Sequence, residues 1–144
     1  ERIGTVEQIN IAQKLWKGAF ANPDELSEYY KIMSPLYFSN REQALNPPAS
    51  IQNIPYNVEL VNFAFTTFLF EFNYTNQLAQ IKAETLLFSG KNDWIIDKNE
   101  AEILHDGIKN SILIILDNCS YFPWKDQRFE FLKHVQDFIE NKQG

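Results

Sequence analysis

Residues 85–93, Thr85-Leu86-Leu87-Phe88-Ser89-Gly90-Lys91-Asn92-Asp93, read as a short apolar strand that runs into a glycine turn and then an aspartate. A second apolar run, Ser111 to Leu116, is rich in β-branched Ile and follows a helical stretch. Short apolar runs bounded by turn residues suit strands buried in a parallel sheet. The order strand, helix, strand, helix requires crossover connections, and so parallel strands. The turn ending in Asp93 then stands at the carboxyl end of a strand, where parallel α/β sheets present their functional groups.

The pattern changes near residue 76. Upstream, helices and prolines dominate. Thr5 and Gln8 have capping-box spacing, and Ile9, Ala12, Leu15, Trp16 and Ala19 mark one face of a helix over 5–20. Pro23 suits the first turn of a second helix running to about Met33, and Pro35 is expected to stop it. Residues 39–57 read as irregular, punctuated by Pro47-Pro48 and Pro55, with room for a short helix at Arg41–Leu45. In 57–73 the alternating Phe residues give a strand-like signal, while Val61, Phe65, Phe68 and Phe72 keep helical spacing. Length and a capping Asn57 favour a helix, with its aromatics mostly in the core. Downstream, Asp97 to Glu100 is a capping box for a helix ending at Gly107. Lys125 or Asp126 opens a last helix whose buried stripe is Phe129, Leu132, Val135, Phe138 and Ile139.

Bulk composition limits the function classes. The 144 residues, 44% hydrophobic and 15% aromatic, suffice for one domain or a piece of one. A net charge of −6 without a Lys/Arg cluster argues against nucleic acid. The longest apolar stretch, Val61 to Phe72, is shorter than the roughly 20 residues of a membrane span. The single Cys119 excludes an internal disulfide and suits a reducing, cytoplasmic compartment. It reads as a buried small residue. No His/Cys/Asp spacing matches a metal ligand set, and no cofactor is expected. Glu1 starts the chain without Met or a signal-peptide pattern, which fits a processed, trimmed or truncated product.

The downstream half resembles the C-terminal part of an α/β-hydrolase. Ile81 to Gly90 is similar to that family's approach to the acid strand, with Glu84 where a proline is usual. Gly90-Lys91-Asn92-Asp93 matches its acid turn, so the resemblance assigns Asp93 the triad-acid role. Asn118-Cys119-Ser120-Tyr121-Phe122-Pro123 looks like the family's Gly-His-Phe-Pro loop, with Tyr121 in the histidine position. More loosely, residues 1–75 resemble the helical lids of proline-iminopeptidase-like members, notably around Tyr29 to Phe38. The implied fold is partial: a helical cap over 1–75, then β-α-β-α with two parallel strands over 76–144.

The resemblance has two gaps. The family orders its triad Ser, Asp or Glu, His, with the nucleophile in Gly-x-Ser-x-Gly. None of the seven serines has those flanking glycines. A phenol titrates near 10, so Tyr121 is a poor general base at neutral pH where histidine is a good one. His105 and His134 both fall in expected helices and offer no replacement. The blander alternatives are Asp93 as a turn former and Tyr121 as a packed aromatic.

The chain is therefore expected to be inactive alone. Its parent would hydrolyse esters, amides or peptides with an N-terminal imino acid, with Trp94, Phe65 and Phe68 as substrate-side aromatics. The alternative is a non-catalytic descendant that binds a small apolar ligand. A third option is a small complete α/β domain unrelated to hydrolases. A lone apolar strand edge is a template for association, so pairing with a second copy or with a missing N-terminal half is expected.

Overall fold

A computed structural model describes residues 4–40 and 56–140. The chain divides into two compact units. The first holds described residues 4–35 and 56–73; the second holds 36–40 and 74–140. The short helix anticipated at Arg41–Leu45, and the Pro47-Pro48 and Pro55 punctuation, lie outside the described residues.

In the first unit, α1 spans Val6–Trp16 and begins with a reciprocal capping box. Gln8 N–H donates to the Thr5 hydroxyl at 3.2 Å, and Thr5 N–H to the Gln8 side chain at 2.9 Å. The helix ends four residues before the expected boundary, where Gly18 adopts φ +55°. That left-handed turn lets Gly18 and Ala19 N–H reach the Leu15 and Lys14 carbonyls. Helix α2 spans Pro23–Tyr37 and buries Leu26, Tyr29 and Met33. Each such burial stabilises by roughly 1.5–3 kcal/mol.

Pro35 does not stop α2; it lies inside it. Proline lacks one N–H, and in a final turn the helix loses only the bond to the carbonyl four residues back.

Helix α3 spans Val58–Phe63 and is capped by Asn57, whose side chain accepts from Leu60 N–H. A π-helical turn, Ala64–Phe68, and a last α turn, Leu69–Glu71, extend it. The helical reading of 57–73 thus prevails over the strand-like alternation. The π turn has a local cause. Thr66 and Thr67 hydroxyls donate back to the Asn62 and Phe63 carbonyls at 2.8 and 2.7 Å, competing with the ordinary ladder. Core placement of these aromatics is not what the structure has: Phe63, Phe68, Phe70 and Phe72 are all exposed.

In the second unit, a 3₁₀ segment Thr75–Gln80 leads to β1 (Thr85–Gly90), α4 (Lys98–Gly107) and β2 (Ser111–Leu116). The strands pair in parallel from Thr85↔Ser111 to Gly90↔Leu116. Among the described residues each strand has one hydrogen-bonded neighbour. Asp97 caps α4 by accepting Asn99 and Glu100 N–H at 2.8 and 3.2 Å.

The last helix is split. Pro123 starts a one-turn helix α5 (Pro123–Asp126), and α6 (Arg128–Glu140) follows after Gln127 leaves helical geometry. Neither Lys125 nor Asp126 opens α6. Its apolar stripe is also rotated from expectation. Phe129 is 90% exposed, and Leu132 and Ile139 are exposed too. Phe131 and His134 turn inward instead, with ring centroids 4.6 and 6.3 Å from Phe88. Moving the helix start past the Gln127 break changes which positions point at the sheet.

Candidate functional site

Both strands end at the same rim because their register is parallel and unshifted. Two contacts then tie together the segments that leave them, and a third closes the turn after β1. Lys91 N–H donates to the Leu116 carbonyl at 3.0 Å, Asn92 N–H to that of Cys119 at 2.8 Å, and Asp93 N–H back to Gly90 at 3.1 Å. Gly90 must lack a side chain here, since a Cβ would meet the Cys119 and Ser120 carbonyls. Asn118 takes φ 49° to turn the chain after β2, a conformation Asn tolerates better than most residues.

Asp93 sits in the turn after β1, half-buried. Its Oδ1 accepts Ile95 N–H at 2.8 Å and Ile96 N–H at 3.2 Å. Burial pushes its carboxyl above the ordinary carboxylate range, and the two N–H bonds pull the other way. Tyr121 follows β2 by five residues, and its ring packs edge-on against Tyr37 at 5.4 Å and Phe122 at 5.0 Å. Tyr37 in turn lies edge-on to Trp94 at 5.9 Å. One aromatic group therefore joins residues from both loops at the strand ends. Among the described residues no hydrogen bond links Asp93 to Tyr121. The Trp94 indole N–H is buried without a partner among the described residues.

The other named candidates lie in the first unit. Phe65 packs edge-on to Trp16 at 5.3 Å, and Phe68 packs on Phe72 at 5.2 Å.

Cys119 is fully buried, and its thiol is pushed up to about 12. Burial is the main cause, followed by the negative charges of Asp126, Asp93 and Glu130. It is a packing residue, in keeping with its sequence reading. His105 Nδ1 lies 2.8 Å from the Ser111 hydroxyl, at the amino end of β2. That hydroxyl also lies 2.8 Å from the Ile108 carbonyl, which it donates to, so the pair finishes α4. A groove of about 440 Å³, lined by Glu84, Leu86, Ser111, Ile112, His134 and Phe138, also opens at the amino ends of the strands. It lies at the opposite end from Asp93. Among the described residues no group of three His, Cys, Asp or Glu is placed to hold a metal ion, and no helix is long and apolar enough to cross a membrane.

Tyr37, which packs on Tyr121, and Ser39 and Asp126, hydrogen-bonded to each other and through Asp126 to Ser120, are parts of the Asp93–Tyr121 rim that the sequence reading missed. Tyr37 lies after Pro35, where the helix was expected to have ended. Asp126 had been read as a helix opener. The only local signal was the aromatic run Tyr37-Phe38, which has no periodicity to place it.

No family model matches the chain. A proline iminopeptidase, PfmaB of Pestalotiopsis fici, is 26% identical over 123 residues, 85% of this chain and 43% of the relative. The mouse monoacylglycerol lipase ABHD6 is 28% identical over 126 residues, 83% of this chain and 36% of the relative. The esterase EaEST of Exiguobacterium antarcticum superposes with a TM-score of 0.65 over 92% of this chain and 48% of that one, at 16% identity.

The chain carries part of an α/β-hydrolase fold. It spans less than half the length of the curated relatives it matches. Within this partial hydrolase fold, the rim carrying Asp93 and Tyr121 is at the carboxyl ends of the strands, the end where open α/β sheets bind ligands.

Proposed function

We propose that the chain is the C-terminal portion of a hydrolase acting on esters, amides or peptides with an N-terminal imino acid, with Asp93 in the place of the triad acid. One observation carries this reading: Asp93 follows the carboxyl end of β1, hydrogen-bonded to a parallel β2 whose following loop bears Tyr121. The names of the similar proteins, a proline iminopeptidase, a monoacylglycerol lipase and an esterase, agree in class. Alone the chain is inactive. Acyl transfer needs a nucleophile and a base as well as an acid. None of its serines stands in a nucleophile elbow, and Tyr121 is in the base position.

The free edge of β1 pairs with a further strand, supplied by the part of the fold that this chain does not cover. An unpaired apolar edge favours such addition. The single Cys119 is consistent with work in a reducing compartment such as the cytoplasm. Trp94, next to Asp93, supplies apolar surface on the substrate side.

The aromatic packing of Tyr121 favours a second reading, a non-catalytic relative that holds a small apolar ligand. Tyr121→His separates the two in a protein completed with a serine-bearing hydrolase half. Restoring a positioned base should raise nitrophenyl ester hydrolysis by at least about 100-fold. A completed protein that gains nothing from the histidine would sink the catalytic reading and support the binder.

A further inference from the structure

We propose that Asp126 is a positioning residue of the Asp93–Tyr121 rim, an anion that holds the loop carrying Tyr121. Its Oδ2 accepts Ser120 N–H at 2.8 Å and Ser39 N–H at 3.0 Å. A single carboxylate oxygen thus joins the segment after α2 to the loop after β2. The Ser120 hydroxyl extends the network to the Leu36 carbonyl at 2.9 Å and the Asn92 carbonyl at 3.3 Å. The Asn92 side chain donates to the Ser39 hydroxyl at 3.3 Å. Ser120 precedes Tyr121, and Asn92 precedes Asp93. The backbone beside each candidate group is therefore tied into one hydrogen-bonded set.

Helix chemistry does not account for Asp126. It ends α5, a single turn too short to carry an appreciable macrodipole, and stands two residues before α6. Its hydrogen bonds go to the loop before α5, six residues back, and to Ser39, 87 positions away, not to the N–H groups opening α6. Its second oxygen, Oδ1, is buried with no partner among the described residues. Burying an unpaired carboxylate oxygen is unfavourable, so its retention fits the bridging role of the other oxygen. Tyr37 and Ser39 belong to the bridged segment, and the Tyr37 ring packs on Tyr121. Releasing Asp126 lets that pair separate.

The test compares the 144-residue chain with D126A, D126N and the control D117N, whose carboxylate pairs with Lys91 at the surface. Amide hydrogen exchange and the Tyr121 ring resonances are followed by NMR. D126A should speed exchange at Ser39 and Ser120 by at least about tenfold and shift the Tyr121 ring signals, with Leu87 and Ile114 unchanged. D126N should largely restore both, because its amide oxygen accepts the same N–H groups, and D117N should change neither. If D126A does not fold, D126N decides. Its Ser39 and Ser120 amide signals should move upfield on loss of the charge, with the Tyr121 ring signals kept. Equal acceleration across the strands in D126A, unchanged loop amides, or a D126N that leaves those two amides where they were would each overturn the proposal.

Discussion

Gly90 and Ser120 meet backbone to backbone. A Cβ on Gly90 would collide with the Ser120 carbonyl oxygen and lie 2.6 Å from that of Cys119. Two peptide groups cannot swing aside as a side-chain tip can. Gly90→Ala should therefore destabilise the chain by roughly 1–3 kcal/mol, the usual cost of overpacking. Urea unfolding measures this, and an unchanged midpoint would mean that the two loops do not touch.

Asp93 sets a pH dependence of known sign. Its carboxyl is raised by burial, so the folded state holds its proton more tightly than the unfolded chain does. Between the unfolded value of about 3.9 and the raised folded value, folding retains a proton that unfolding releases. The associated stability is complete below about pH 3.9 and is lost as pH rises through the folded value. Asp93→Asn keeps an acceptor for Ile95 and Ile96 N–H but removes the charge. Unfolding midpoints from pH 3.5 to 7 should decline less in D93N than in the parent chain. Parallel curves would count against a buried Asp93.

Cys119 should not react in the folded chain. With a thiol near 12 and no exposure, its thiolate fraction at pH 8 is on the order of one in ten thousand. Iodoacetamide should leave it intact in buffer and label it fully in denaturant, as read by intact mass. Labelling within minutes in buffer would show that the loop after β2 is open.

Asn62 should matter to the first unit more than an ordinary surface amide. Its side chain accepts Phe20 N–H at 3.2 Å and donates to the Phe20 carbonyl at 2.8 Å, standing in for a backbone partner. Asn62→Ala leaves both groups of a buried residue unpaired and should cost roughly 1–3 kcal/mol. Thermal unfolding of N62A tests this, and a change within error would mean that water replaces the amide there.

The sequence by itself determined what short-range forces control. The capping of α1 by Thr5 and of α4 by Asp97 depends on atoms two or three residues apart, and both are present. The apolar runs at 85–90 and 111–116 became parallel strands because their surface must be buried and their connection is a helix. Tertiary structure alone decided that Pro35 stays within α2, that Phe131 rather than Phe129 faces the sheet, and that Tyr37 and Asp126 join the rim. Ser39 and Asp126 are 87 positions apart, so no local periodicity or spacing marks them as partners. Such a contact exists only once the strands have paired and the loops at their ends have been brought within hydrogen-bonding distance.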